Sequence, residues 1–94
     1  MTFIKLFKVN RRNDSKHGDF YLSQVSVNVA HIALMTENLE LKMMLSEGNL
    51  GIGLSKDADF TNLKLQNGNE LIVIGSPAII ESKMSSNSKR LLRD

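Results

Sequence analysis

The chain has no cysteine, no tryptophan and a single proline, and its aromatic residues are four phenylalanines and one tyrosine among 94 residues. Without cysteine there is no disulfide framework, no thiolate metal site and no thiol nucleophile. With so few aromatics, stacking platforms for single-stranded nucleic acid are scarce. Long apolar runs are also missing: the longest have four residues, as in Leu71-Ile72-Val73-Ile74, against the roughly 18 to 20 needed to cross a bilayer. No membrane partner is expected. Charge of one sign is not in surplus either. Twelve basic against ten acidic residues leave +2, which marks neither a strongly basic nucleic-acid binder nor an acidic mimic. The opening MTFIKLFKV lacks the apolar core and small-residue cleavage site of a signal peptide, so a cytoplasmic location is expected.

What is present is enough for one small core. A hydrophobic content of 41% over this length predicts a single globular domain over residues 1–84, followed by a basic tail, residues 85–94, that should fray. Charge is segregated: the ends are basic and residues 37–60 are acidic.

Phe3 to Val9 (FIKLFKV) places Phe3, Lys5, Phe7 and Val9 on one face of a strand and Ile4, Leu6 and Lys8 on the other. Residues 10–19 (NRRNDSKHGD) are polar, contain a glycine and show no periodicity, which reads as a hairpin loop. In Phe20 to Val29 (FYLSQVSVNV), Val25, Val27 and Val29 alternate with Gln24, Ser26 and Asn28, a second strand. His31 to Thr36 reads as a third strand after a tight bend near Asn28 to Ala30. Leu39-Glu40-Leu41-Lys42-Met43 alternates like a strand ending at the turn Glu47-Gly48-Asn49, with a helix over 38–46 as the competing reading, because Leu, Glu, Lys and Met are good helix formers. Gly51 and Gly53 around Ile52 mark a bulged strand or a loop. Two strand-like runs around Asn67-Gly68 predict a hairpin closed by a type I′ turn. Ser76-Pro77 predicts a capped helix over 77–84 with Ile79, Ile80, Lys83 and Met84 as its stripe.

Val27-Asn28-Val29-Ala30-His31-Ile32, the later stretch from Leu63 through the Asn67-Gly68 turn and Ser76-Pro77 to Met84, and the openings Ile4-Lys5-Leu6 and Phe20-Tyr21-Leu22 are together similar to the small FlbD-like proteins associated with flagellar loci. More loosely they resemble the LytTR type of DNA-binding domain. The chain departs from the FlbD-like pattern through loop 10–18, segment 37–59 and the basic tail. The resemblance carries over no catalytic residues.

Chemistry-bearing residues are thin. His17 lies in the polar loop with no carboxylate at a recognisable spacing to orient it, and His31 lies at a strand start, where a structural histidine is the ordinary case. Asp57, Asp59 and Glu47 lack the glycine and terminal glutamate of a calcium loop, so a solvated acidic loop is the plain reading. Gly48-Asn49-Leu50-Gly51-Ile52-Gly53 is not followed by the lysine-serine pair of a phosphate loop. No enzyme, cofactor, metal site or small-molecule substrate is expected.

The expected architecture is a mainly β domain, a small antiparallel SH3-like, partly open barrel of five to seven short strands with one short C-terminal helix. Its expected role is that of a non-enzymatic interaction module binding a protein partner, itself, or both, through apolar strand edges. Segment 37–54, read as an extra strand pair, would supply Met43, Leu45, Leu50 and Ile52 for that contact. The alternative is a nucleic-acid-binding regulator that contacts phosphates with Arg11, Arg12, Lys16, Lys89 and Arg90. Small size and the absence of cysteine would also suit a phage or mobile-element protein.

Overall fold

A computed structural model describes residues 2–11, 20–48, 50 and 53–93, the last eight of these as backbone alone. Five strands form one antiparallel sheet: β1 (Phe3–Arg11), β2 (Phe20–Asn28), β3 (Ile32–Glu37), β4 (Phe60–Leu65) and β5 (Glu70–Ile74). Among the described residues two helices accompany them, α1 (Leu39–Ser46) and α2 (Pro77–Arg93), and a 3-10 turn, Val29–His31, joins β2 to β3. The strand order is β2-β1-β5-β4-β3.

That order bends the sheet. β2 and β3 are its two edges, yet only the 3-10 turn separates them in the chain. Four strand spacings in a flat sheet amount to about 19 Å, whereas the four residue steps from Asn28 to Ile32 reach at most about 14 Å. The edges therefore converge at that end and the sheet curls. Asn28 holds the corner by accepting the Ala30 N–H on its side chain, and Gln66 N–H donates to the His31 carbonyl. No ladder joins β2 to β3 among the described residues, so the sheet is not closed.

Both faces of the sheet are used, at opposite ends. On one face Ile4 and Leu6 of β1, Val27 of β2, Leu63 of β4 and Val73 of β5 are buried beneath Ile80 of α2. On the other, Val9 and Phe60 are buried with Leu41 and Leu45 of α1 and with Leu50. Burial thus changes face along β1, from Ile4 and Leu6 to Val9, which is why this strand carries apolar residues on both sides. Each fully buried side chain of this size, such as Phe60, Leu63 or Val73, contributes roughly 1.5–3 kcal/mol relative to exposure.

Three sequence expectations need correction. Residues 39–46 are a helix and not a strand, because the pair that becomes buried, Leu41 and Leu45, is spaced by four. Asn38 caps this helix, its side-chain oxygen accepting the Leu41 N–H at 2.9 Å, and Gly48 at φ 79° ends it in the left-handed conformation. The strand pair expected over 37–54 is therefore absent among its described residues. The second correction concerns the 67–68 hairpin, which forms, but not through a type I′ turn. Gly68 (φ 92°) has a positive φ and Asn67 does not. Gly68 N–H donates to the Leu65 carbonyl and Leu65 N–H to that of Asn69, a three-residue loop with glycine as its left-handed residue. Thirdly, α2 continues beyond residue 84 to Arg93. Its predicted start is as expected: the Ser76 hydroxyl accepts the Ile79 N–H at 3.2 Å, with Pro77 as the first helical residue.

Candidate interaction surface

The residues proposed from sequence for partner contact are divided by the fold. Leu45 and Leu50 are core residues, buried to 4% and 1% exposure with Val9 and Phe60, and are not available at the surface. A strand over this segment would put them on an open edge; the helix turns Leu45 inward. Met43 remains exposed, beside Leu39 one turn earlier on α1. Ile52 lies outside the described residues.

Of the proposed phosphate contacts, Arg11 is described with its side chain and Lys89 and Arg90 as backbone alone. Arg11 is exposed at the end of β1, its guanidinium 5.9 Å from the centre of the Phe20 ring, its neighbour in register across the β1-β2 hairpin. Lys89 and Arg90 lie on the last turns of α2, while Arg12, Lys16 and His17 lie outside the described residues. Asp59 is engaged by Lys42 at 2.5 Å. That hydrogen bond is the main cause raising the Lys42 pKa above its ordinary value, against a smaller opposing desolvation. Among the described residues no three His, Asp or Glu side chains converge as a metal site would need.

The feature that the fold does assemble is the outer edge of β2. Val29 N–H donates to the Thr2 carbonyl at 2.9 Å, and the β1-β2 register is unbroken from Phe3↔Asn28 to Arg11↔Phe20. Antiparallel pairs alternate between bonded and non-bonded. Val27, Val25 and Ser23 therefore exchange hydrogen bonds with β1, while Leu22, Gln24 and Ser26 direct their N–H and C=O groups away from β1, toward the free side. The sequence of this edge, FYLSQVSVN, contains no charge and no proline over nine residues, and so lacks the usual guards against strand addition.

A pocket of about 490 Å³ lies against this edge. Four consecutive β2 residues, Val25 to Asn28, line it, with Phe3, His31, Leu65 and Leu71 completing the wall. Consecutive residues of one strand line a cavity together only when it runs along the strand's rim, since alternate side chains point to opposite faces. The curl of the sheet brings Leu65 and Leu71 within reach of this rim. The outcome is an apolar groove bordered by backbone groups of β2 that no other strand takes up among the described residues.

A second exposed feature lies on β1. Phe3 and Phe7, each 51% exposed, share one face with Lys5 between them and lie about 13 Å apart along the strand. Neither this pair nor the β2 edge was singled out from sequence. The missing charges of β2 were visible there, but its position at an edge was not.

Comparisons with protein-family models, with curated proteins and with solved structures gave no match.

Proposed function

We propose that this protein is a non-enzymatic interaction module, built on an SH3-like, partly open barrel, that takes up an extended segment of a protein partner along the outer edge of β2. The carrying observation is the groove lined by Val25 to Asn28, Leu65 and Leu71 beside the outer side of an uncharged strand that, among the described residues, is an edge of the sheet. In strand addition the backbone hydrogen bonds supply affinity and the pockets for alternate side chains supply selectivity. This edge offers both, and its neutrality favours a segment with apolar rather than charged side chains. Among the described residues expected from sequence for partner contact, Met43 on α1 is the exposed one, with Leu39 exposed beside it.

The test is a panel of uncharged extended peptides read by amide NMR on the labelled protein. Binding at the groove shifts and protects the Gln24 and Ser26 amides, and Ser26→Lys abolishes the effect. Shifts confined to α1, or absent with every peptide while the protein is monomeric, would overturn this reading.

A nucleic-acid reading is favoured by a different observation: Phe3 and Phe7 expose their rings on either side of Lys5, and neither β1 nor β2 carries an acidic residue. Arg11 extends the same strand. Bases stack on exposed aromatics while lysine and arginine meet phosphates. Phe7→Ala should then weaken binding of a labelled oligonucleotide about tenfold, in line with the ~1–3 kcal/mol of one lost stack, and affinity should fall steeply with salt.

A further inference from the structure

We infer that the segment taken up by the β2 edge is β2 of a second copy of this chain, the two pairing antiparallel about a two-fold axis at Gln24 to form a continuous ten-stranded sheet. This rests on the strand-addition reading above and names its partner. The first support is phase. The residues with outward backbone groups are the even-numbered ones, Leu22, Gln24 and Ser26, as the bonded Val29–Thr2 pair fixes through the register. A two-fold axis at Gln24 sets Gln24 against the partner's Gln24 and Ser26 against the partner's Leu22. Outward groups meet outward groups throughout, giving about six hydrogen bonds between residues 22 and 26 of the two copies. Sliding the register by two residues keeps the phase but leaves two residues of each strand unpaired, so the Gln24-centred register uses the edge most fully.

The second support is the fit of side chains. In this register Val27 lies opposite the partner's Tyr21. Both point to the face that carries Ile4 and Val27 in the core, because the side chain of residue 21 has the parity of residue 27. Val27 lines the apolar pocket together with Leu65 and Leu71, and Tyr21 is 43% exposed in the single copy. An aromatic residue opposite a β-branched one is a favourable cross-strand pair, and the symmetry makes it twice.

The third support is charge. β2 carries none, so no like charges meet at the join. Among the described residues the neighbouring strand β1 carries the cations Lys5, Lys8 and Arg11. Each β1 stands three strand spacings from the other copy's β1, about 14 Å, beyond the ~10 Å Debye length at 0.1 M salt. Association is consequently insensitive to salt above that concentration.

The test combines light scattering from micromolar to millimolar protein, in 0.1 and 0.5 M NaCl, with hydrogen exchange of the Gln24 and Ser26 amides. The expected result is a mass that doubles with concentration, equally at both salts, with both amides becoming protected as it does. Ser26→Pro removes an outward N–H and no β1 bond, and should remain monomeric with an unchanged unfolding midpoint. Ser26→Lys serves the same purpose should the proline variant fail to fold, and Tyr21→Ser should raise the dissociation constant several-fold. A monomer at every concentration overturns the second-copy proposal, as does a dimer whose Gln24 and Ser26 amides exchange freely. If the monomer's amides are nevertheless protected by peptides of the panel, the strand-addition reading survives alone. If no peptide protects them, both fall together.

Discussion

The two edges of the sheet are made from the same chain, three residues apart, and are finished in opposite ways. β3 is short, its pairing with β4 is interrupted by an irregularity between Ile32 and Leu34, and it ends on Glu37. Asn38 then turns the chain into α1, its N–H donating to the Phe60 carbonyl. β2 runs for nine residues in unbroken register with β1 and has neither a charge nor a bulge. Edge strands that are short, irregular or charged resist adding further strands, and long regular neutral ones invite it. The contrast teaches that exposure alone does not select the contact surface. Leu34 of β3 is as exposed as Phe3 or Phe7, but it lies on the guarded edge.

The sharpest way to break this comparison is to put proline at neighbouring positions of β2. Val25 belongs to a bonded pair with Leu6 and Ser26 to a non-bonded pair with Lys5. Val25→Pro should cost about 1–3 kcal/mol through the lost ladder bond and the β1 carbonyl left without its donor, a large share of the ~5–15 kcal/mol that stabilises a domain. Ser26→Pro should leave stability nearly intact. Urea unfolding of the two variants measures the difference, and equal losses would show that the β2 groups are not phased as described.

A smaller effect is expected where β3 is stopped. Asn38 accepts the Leu41 N–H and donates from its side-chain nitrogen to Asn62 Oδ1 at 3.0 Å, tying the start of α1 to β4. Asn38→Ala should destabilise by about 1 kcal/mol, the usual cost of a lost N-cap, and speed exchange of the Leu41 amide while leaving β2 untouched. A change in exchange at Gln24 or Ser26 would mean that the two edges are coupled.

The smallest effect concerns Lys42 and Asp59, which join α1 to the segment before β4. The hydrogen bond that Lys42 donates to Asp59 raises the Lys42 pKa in the folded protein above its ordinary value of 10.5, so its contribution is complete below that pH and is lost as pH rises through the folded value. Both side chains are about one-third exposed, and such pairs contribute little. Lys42→Gln should lower the unfolding midpoint slightly at pH 9 and not at all at strongly alkaline pH. A difference that grows with pH would contradict the assigned sign.

Much of the strand content was legible because alternation is a local property: FIKLFKV, the valine ladder of β2 and the two runs around Asn67-Gly68 each carry it within a few residues. The capped start of α2 was legible for the same reason, since Ser76 and Pro77 act on their immediate neighbours. The LELKM stretch misled because leucine and methionine at alternate positions also satisfy part of a helical stripe. Only the packing of Leu41 and Leu45 against Val9 and Phe60 chooses between the two. Two of the four expected contact residues, Leu45 and Leu50, lie in the core, while Met43 is exposed.

The sequence by itself determined that the segments of β1, β2, β4 and β5 would be extended, where the 67–68 reversal falls, and that β2 would be neutral, because all three follow from residues acting on neighbours. Only the tertiary structure decided that β2 is an edge, that the sheet curls until Leu65 and Leu71 reach its rim, and which of its backbone groups face outward. Those properties depend on pairings between strands distant in the chain, whose order is set by burying two faces of one sheet together.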